Sequence, residues 1–299
     1  SALAYVDTEA AAPTASVFEV PQLVGRGALD ARELLPSFLY LAPESEGAQA
    51  LPWDASRSFA VGHHARARGA EQPGRLVSSA KSWLSHPGID RRAPALPAGS
   101  SEVEKISPVE ASFRYLEHLA EAWDHTVAKG DARAALREQE IVITVPASFD
   151  AIARELTAEA AYAAGIENLT LLEEPQAALY AWLDRKGDAW RKELSPGDLM
   201  LVVDVGGGTT DFSAIAVVDQ GGELGLVRVA VGDHILLGGD NMDLALAHVA
   251  RRKLEADGRS EADIPMAALG HACRAAKERL LGPDAPAEVA VAVARPGAK

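Results

Sequence analysis

Residues 199–211 read Leu-Met-Leu-Val-Val-Asp-Val-Gly-Gly-Gly-Thr-Thr-Asp, and no other stretch restricts the fold as much. The apolar run reads as a strand. It ends in Asp204, three glycines, Thr209, Thr210 and Asp211, and apolar residues resume from Phe212 to Val218, so the turn joins two strands. Two readings compete. A glycine-rich hairpin needs nothing more than this. Backbone without Cβ atoms also lets N–H groups close on an anion, with two hydroxyls and two carboxylates beside them. A plain hairpin needs neither aspartate, so the combination points to a phosphate and Mg²⁺ site, and therefore to a nucleotide.

The chain around this turn is α/β in pattern. Residues 2–6 and 17–20 read as short strands, and 87–104, with three prolines and little periodicity, as a loop or linker. Ser107-Pro108-Val109-Glu110 opens a long helix: Ser107 as N-cap, Pro108 at the first helical position, Glu110 completing a capping box. Ile141–Val145 is a β-branched strand expected to be buried on both faces. A helix over about 151–164, a strand at 169–172 and a helix from Glu174 to Gly187 follow, the order of a parallel sheet flanked by helices. Beyond the glycine turn the pattern becomes an antiparallel meander over 199–204, 212–218 and 224–231. Helices over 240–257 and 264–281 and a last strand at 288–294 complete it.

Several classes are excluded or disfavoured. The net charge of −14 argues against a nucleic-acid or anionic-membrane partner. A single cysteine, Cys273, rules out an internal disulfide framework and fits a reducing, cytoplasmic setting. No apolar run reaches the ~20 residues that span a bilayer, and Ser1-Ala2-Leu3-Ala4 has no signal-peptide character. There is no P-loop, no Gly-x-Gly-x-x-Gly at a strand–helix junction and no Gly-x-Ser-x-Gly elbow. His63-His64 reads as a solvent-exposed pair rather than as metal ligands. Glu174, where a strand gives way to a helix, is either a favourable charge at the helix start or a group holding a metal-bound water. From the residues alone Lys81 is an ordinary solvated lysine.

Six segments taken together carry a resemblance. They are Leu35–Phe38, Ser79–Leu84, Thr144–Asp150, Leu172–Ala178, Val203–Asp211 and Leu237–Asp243. In this order and spacing the chain resembles the ATPase domain of the seventy-kilodalton heat-shock chaperone family, the DnaK-type proteins. The resemblance implies an α/β, actin-like ATPase (ribonuclease H-like) fold of two lobes, here incomplete, with ATP or ADP and Mg²⁺ in the cleft. Lobe I would be 1–196 (core 1–33 and 105–196, reduced upper subdomain 34–104). A partial lobe II would be 197–299 (core 197–236, upper subdomain 237–299). Gly206, Gly207, Gly208 and Thr209 would form the second phosphate loop. Asp204, Asp211 and Glu174 would act through the water shell of Mg²⁺, Asp204 also orienting the attacking water. Lys81 would reach the γ-phosphate and Pro146 would relay nucleotide state. Gly238, Gly239 and Lys277 would face the nucleotide.

Departures from the family pattern shape the functional expectation. The first phosphate loop is expected upstream of Ser1 and a second adenosine segment beyond Lys299, so the chain as given is expected to bind ATP weakly. On the adenosine-contacting helix, Arg274 stands where the family has Glu, Glu278 where it has Arg, and Leu281 where it has Ser; Lys277 is kept. An exchange of charge on one helix face would preserve a pairing. The resemblance implies an atypical, ATP-hydrolysing, chaperone-like switch, with client polypeptides and co-chaperones engaged through regions absent here. The alternative is a nucleotide-sensing or scaffold protein of the same fold with little or no turnover.

Overall fold

The computed structural model describes residues 1–101, 103–233, 235–258 and 266–292. The first part of the chain is a set of short strands laid over one long helix. Strands β1 (Leu3–Tyr5) and β2 (Ser16–Phe18) pair antiparallel, as do β3 (Val20–Gly25) and β4 (Ala28–Arg32). Strand β5 (Phe38–Leu41) lies between β6 (Phe59–Val61) and β7 (Leu76–Ser78), both antiparallel to it. Helix α1 (His63–Glu71) separates those two partners, and α2 (Ala80–Trp83) follows β7. The long helix α3 (Pro108–Trp123) sends Ala111, Tyr115, Leu119, Ala122 and Trp123 into the main core, against Phe18, Val20, Leu39 and Val61. Their helical spacing is why this face is buried.

Gly62 shows how local sequence and distant packing meet. Its backbone is left-handed at φ +80°, and an added Cβ would stand 2.2 Å from Gln22 Oε1. The space is needed because Gln22, buried in β3, accepts the His63 N–H at 3.1 Å and so satisfies the start of α1 that no local side chain caps. His64 is buried beside it, so the expected exposed histidine pair is corrected. Desolvation holds both imidazoles below their usual pKa.

Strand β8 (Ile141–Val145) pairs parallel with β9 (Leu169–Glu173), in register from Ile141 opposite Leu169 to Val145 opposite Glu173. Helices α4 (Ala151–Ala163) and α5 (Glu174–Lys186) follow the expected order, and a short α6 (Trp190–Glu193) that was not expected comes after them. One expectation fails here. Ile141 and Ile143 pack on the main core but Val142 is 57% exposed, so β8 alternates, as a strand with one covered face does. Strand β10 (Leu199–Val205) pairs with β11 (Thr210–Asp219), and β11 with β12 (Leu224–Val231), the expected meander as a separate antiparallel sheet. The described residues of segment 87–104 are irregular as expected but form no free linker. Arg91 makes a two-pronged pair with Asp150 at 2.8 Å, and Leu96 is buried and bridges Ile106.

Helix caps divide the same way. Ser107 Oγ accepts the Glu110 N–H at 3.0 Å, as its sequence predicts. The Glu110 carboxylate pairs with Arg114 rather than returning to Ser107, so only half of the expected box forms. Helices α7 (Gly239–Ala256) and α8 (Met266–Leu280) pack through Ala247, Leu269 and Cys273. Residues 288–292 are not strand, which corrects the expected last strand over that part; 293 and 294 lie outside the described residues.

Candidate functional site

The glycine turn is closed by its own backbone, the Gly206 N–H donating to Thr209 O at 2.8 Å. The start of α7 docks on it. The Gly239 and Asp240 N–H groups donate to Gly206 O at 3.0 Å and Gly207 O at 2.8 Å. The approach is close enough that a Cβ on Gly238 would lie 2.6 Å from Gly206 O. On the strand side, Thr210 donates its N–H to Ile235 O at 3.0 Å and its hydroxyl to Leu237 O at 2.7 Å. Thr210 is therefore spent on holding the segment that leads into α7.

A cleft of about 430 Å³ opens beside this turn. Lys81, Glu174, Asp204, Gly206, Gly207, Gly208, Thr209, Gly239 and Lys277 all line it, although they come from distant parts of the chain. Pro146, at the end of β8, lines it as well. Gly238 stands behind Gly239 against the turn. The Lys81 ammonium, half exposed on α2, donates to Glu174 Oε1 at the first residue of α5. Asp204 and Asp211 are directly opposite each other across β10 and β11. They do not share an environment: Asp211 is buried, accepts the Ser148 hydroxyl and is not among the residues lining the cleft.

The carboxylates that do line it fit a hydrated Mg²⁺ carried on phosphates. Such an ion keeps several waters and takes only one or two carboxylates. Among the described residues no cluster of three or more His, Cys, Asp or Glu side chains forms a protein-only metal cage.

The opposite wall adds two carboxylates, Asp240 and Asp243, that were given no role from the sequence. Asp240 and Asp243, three apart at the start of α7, face Arg274 and Lys277, three apart on α8. Arg274 Nε donates to Asp243 at 2.6 Å and its Nη2 to Asp240. Lys277 Nζ reaches Asp243 at 2.6 Å and Gly239 O at 3.0 Å. Matching spacing of opposite charges on consecutive helices was the available signal. Arg274 also lies 5.1 Å over the Phe38 ring, and Glu278 pairs with Arg66 on α1 at 2.6 Å. The exchanged charges on α8 therefore find separate partners.

A glycine turn, a lysine and carboxylates around one cleft define a class, a site suited to a polyphosphate. Residues 60–294 match the protein family described as "Hsp70 protein". The chain is 33% identical over 274 residues to "Chaperone protein HscA homolog" of Methylococcus capsulatus, covering 87% of this chain and 38% of that protein. It is 33% identical over 221 residues to "Chaperone protein HscA" of Cronobacter sakazakii, covering 69% and 32%, and 30% identical over 255 residues to "Chaperone protein HscA" of Pectobacterium carotovorum, covering 83% and 36%. The chain thus spans under two fifths of these relatives' length. The chain belongs to the Hsp70 family, as a divergent nucleotide-binding domain. That family implies an actin-like ATPase fold, with which the mixed α/β architecture agrees, and its members bind ATP and ADP. These three relatives carry the name HscA, a branch distinct from DnaK. Among the described residues no helix is long and apolar enough to cross a membrane.

Proposed function

We propose that this chain is the ATP-binding and ATP-hydrolysing domain of a chaperone whose conformation is switched by nucleotide. The observation that carries the reading is the convergence of Lys81, Glu174, Asp204, Gly206–Gly208 and Thr209 on one cleft in a member of the Hsp70 family. The two lobes would be 1–196 and 197–299, the cleft between them. Backbone N–H groups of the glycine turn and the Thr209 hydroxyl bind the phosphates. Lys81 leaves Glu174 and stabilises charge on the transferred phosphoryl group. Asp204 orients the attacking water and accepts its hydrogen bond. Glu174 and Asp204 would hold, through water, a magnesium ion carried on the phosphates, which would supply neutralising charge there. Asp211 supports this shell from behind, through Ser148. Clients and co-chaperones engage other parts of the protein, in a cytoplasmic setting.

ATP turnover by the full-length gene product, with and without Lys81→Ala, tests this. Wild-type turnover that collapses in the variant supports it. Tight ATP binding with no turnover in the wild type overturns it in favour of a nucleotide-sensing scaffold. One observation favours that second reading: Arg274 and Lys277, on the helix expected to meet adenosine, are already held by Asp240 and Asp243.

A further inference from the structure

Ser79 and Lys129 are the two non-glycine residues with positive φ among the described residues. Ser79, at φ 54° and ψ 30°, stands directly before α2. A left-handed backbone is strained for a serine, and such strain persists where the surroundings impose it. The position is that of an N-cap, yet the hydroxyl does not cap α2. It reaches across the cleft and donates to Asp240 Oδ2, near the start of α7. Asp240 Oδ1 in turn accepts from Arg274. On the other side, an added Cβ at Gly208 would meet both Ser82 Oγ and Ser79 Cβ. The first turn of α2 is therefore wedged between the glycine turn and α7, and Lys81 lies two residues beyond Ser79.

We propose that Ser79 and Asp240 form a positioning pair that ties the wall built by α7 and α8 to the helical turn carrying Lys81. Movement of that wall and alignment of Lys81 are then one event. This rests on the reading of Lys81 as the group that meets the terminal phosphate. Asp240 acts through Ser79 and touches no reacting atom.

The test uses the full-length gene product with Ser79→Ala, Asp240→Ala, the double variant and Asp240→Asn, which keeps an acceptor for the hydroxyl. Ser79→Gly removes the hydroxyl while relieving the left-handed backbone, and so separates the hydrogen bond from misfolding. Each of Ser79→Ala, Ser79→Gly and Asp240→Ala is expected to lower kcat about tenfold with KM for ATP held within about threefold. The double variant is expected to be no worse than the poorer single, and Asp240→Asn to recover most of the rate. Amide exchange over residues 80–84 is expected to rise in Asp240→Ala, across the cleft from the substitution. Additive losses, a KM effect at constant kcat, or unchanged exchange over 80–84 would each overturn the pair. A wild type without turnover refutes the ATPase reading separately, and the exchange measurement then decides the pair by itself.

Discussion

Replacing Gly238 with alanine asks whether the glycine turn and the start of α7 are one unit. Gly238 has an extended backbone, φ −158° and ψ −157°, so alanine meets no conformational penalty there. Its Cβ would stand 2.6 Å from Gly206 O, 2.7 Å from Gly207 O and 2.8 Å from the Gly207 carbonyl carbon. These are backbone atoms, which cannot swing aside, so α7 must retreat by on the order of 0.5–1 Å. That retreat breaks the 3.0 Å and 2.8 Å bonds from the Gly239 and Asp240 N–H groups. Two hydrogen bonds at about 1 kcal/mol each, with about 1–3 kcal/mol of overpacking, give a loss of roughly 3–5 kcal/mol. At a few degrees per kcal/mol the melting temperature falls by on the order of 10 °C. Gly270, in α8 with nothing within 4 Å of an added Cβ, is the control. Alanine there should be neutral or stabilising by up to about 1 kcal/mol. Thermal and urea unfolding of both variants, with calorimetry of Mg-ATP binding to the full-length protein, reads the difference. Gly238→Ala is expected to lower affinity along with stability. If it unfolds like the wild type, the turn and the helix do not touch and the steric argument is wrong.

Lys81→Ala should leave stability within about 0.5 kcal/mol, because its ion pair is half exposed, while ATP turnover drops by about two orders of magnitude or more and nucleotide affinity falls by less, the turn amides remaining. Steady-state kinetics beside a denaturation curve checks both halves. Arg57→Ala strips a buried guanidinium from Asp54 and Glu121 and should cost about 3 kcal/mol in urea unfolding, with Arg57→Lys recovering only part because it lacks the fork. His118, buried with Nε2 at 3.0 Å from Pro21 O, has its pKa pushed down to about 4 by desolvation. The unfolded chain takes up a proton there below about 6.5 and the folded one does not, so stability is present above that pH and falls as pH drops toward 4. A stability–pH curve should lose up to about 1.4 kcal/mol per pH unit in that window, and His118→Gln should flatten it.

Where local chemistry decides, the sequence was readable. The meander of β10, β11 and β12, the spans of α7 and α8, and Ser107 as N-cap follow from glycine placement, apolar period and one hydroxyl. The candidate cleft was legible mostly through resemblance, since Lys81 has nothing local to mark it. What failed depends on distant partners. His64 is buried because Gln22, 42 residues earlier, shapes the start of α1. Segment 87–104 is docked because Arg91 meets Asp150. Asp211, directly across from Asp204, accepts the hydroxyl of Ser148, a partner 63 residues away that its own segment does not announce. Glu110 had two equivalent choices, Ser107 behind it and Arg114 ahead, and pairing with a charge prevailed.

The charge arrangement also says where on the cleft a polyphosphate would bind. On the α7–α8 wall, Asp240 and Asp243 face Arg274 and Lys277, so two negative and two positive charges cancel at contact distance. That wall is held together without ligand and presents little net field to an anion. The start of α7 adds little, because its Gly239 and Asp240 N–H groups already serve the turn carbonyls. Attraction for phosphate would then fall to Lys81, freed from its ion pair with Glu174, and to the remaining turn amides. The phosphate end of a nucleotide would thereby be directed to α2 and β10, and the α8 side would be left to meet its uncharged portion. Ser79 and Asp240 sit at the junction of these two ends, which is the position from which occupancy of one reaches the other.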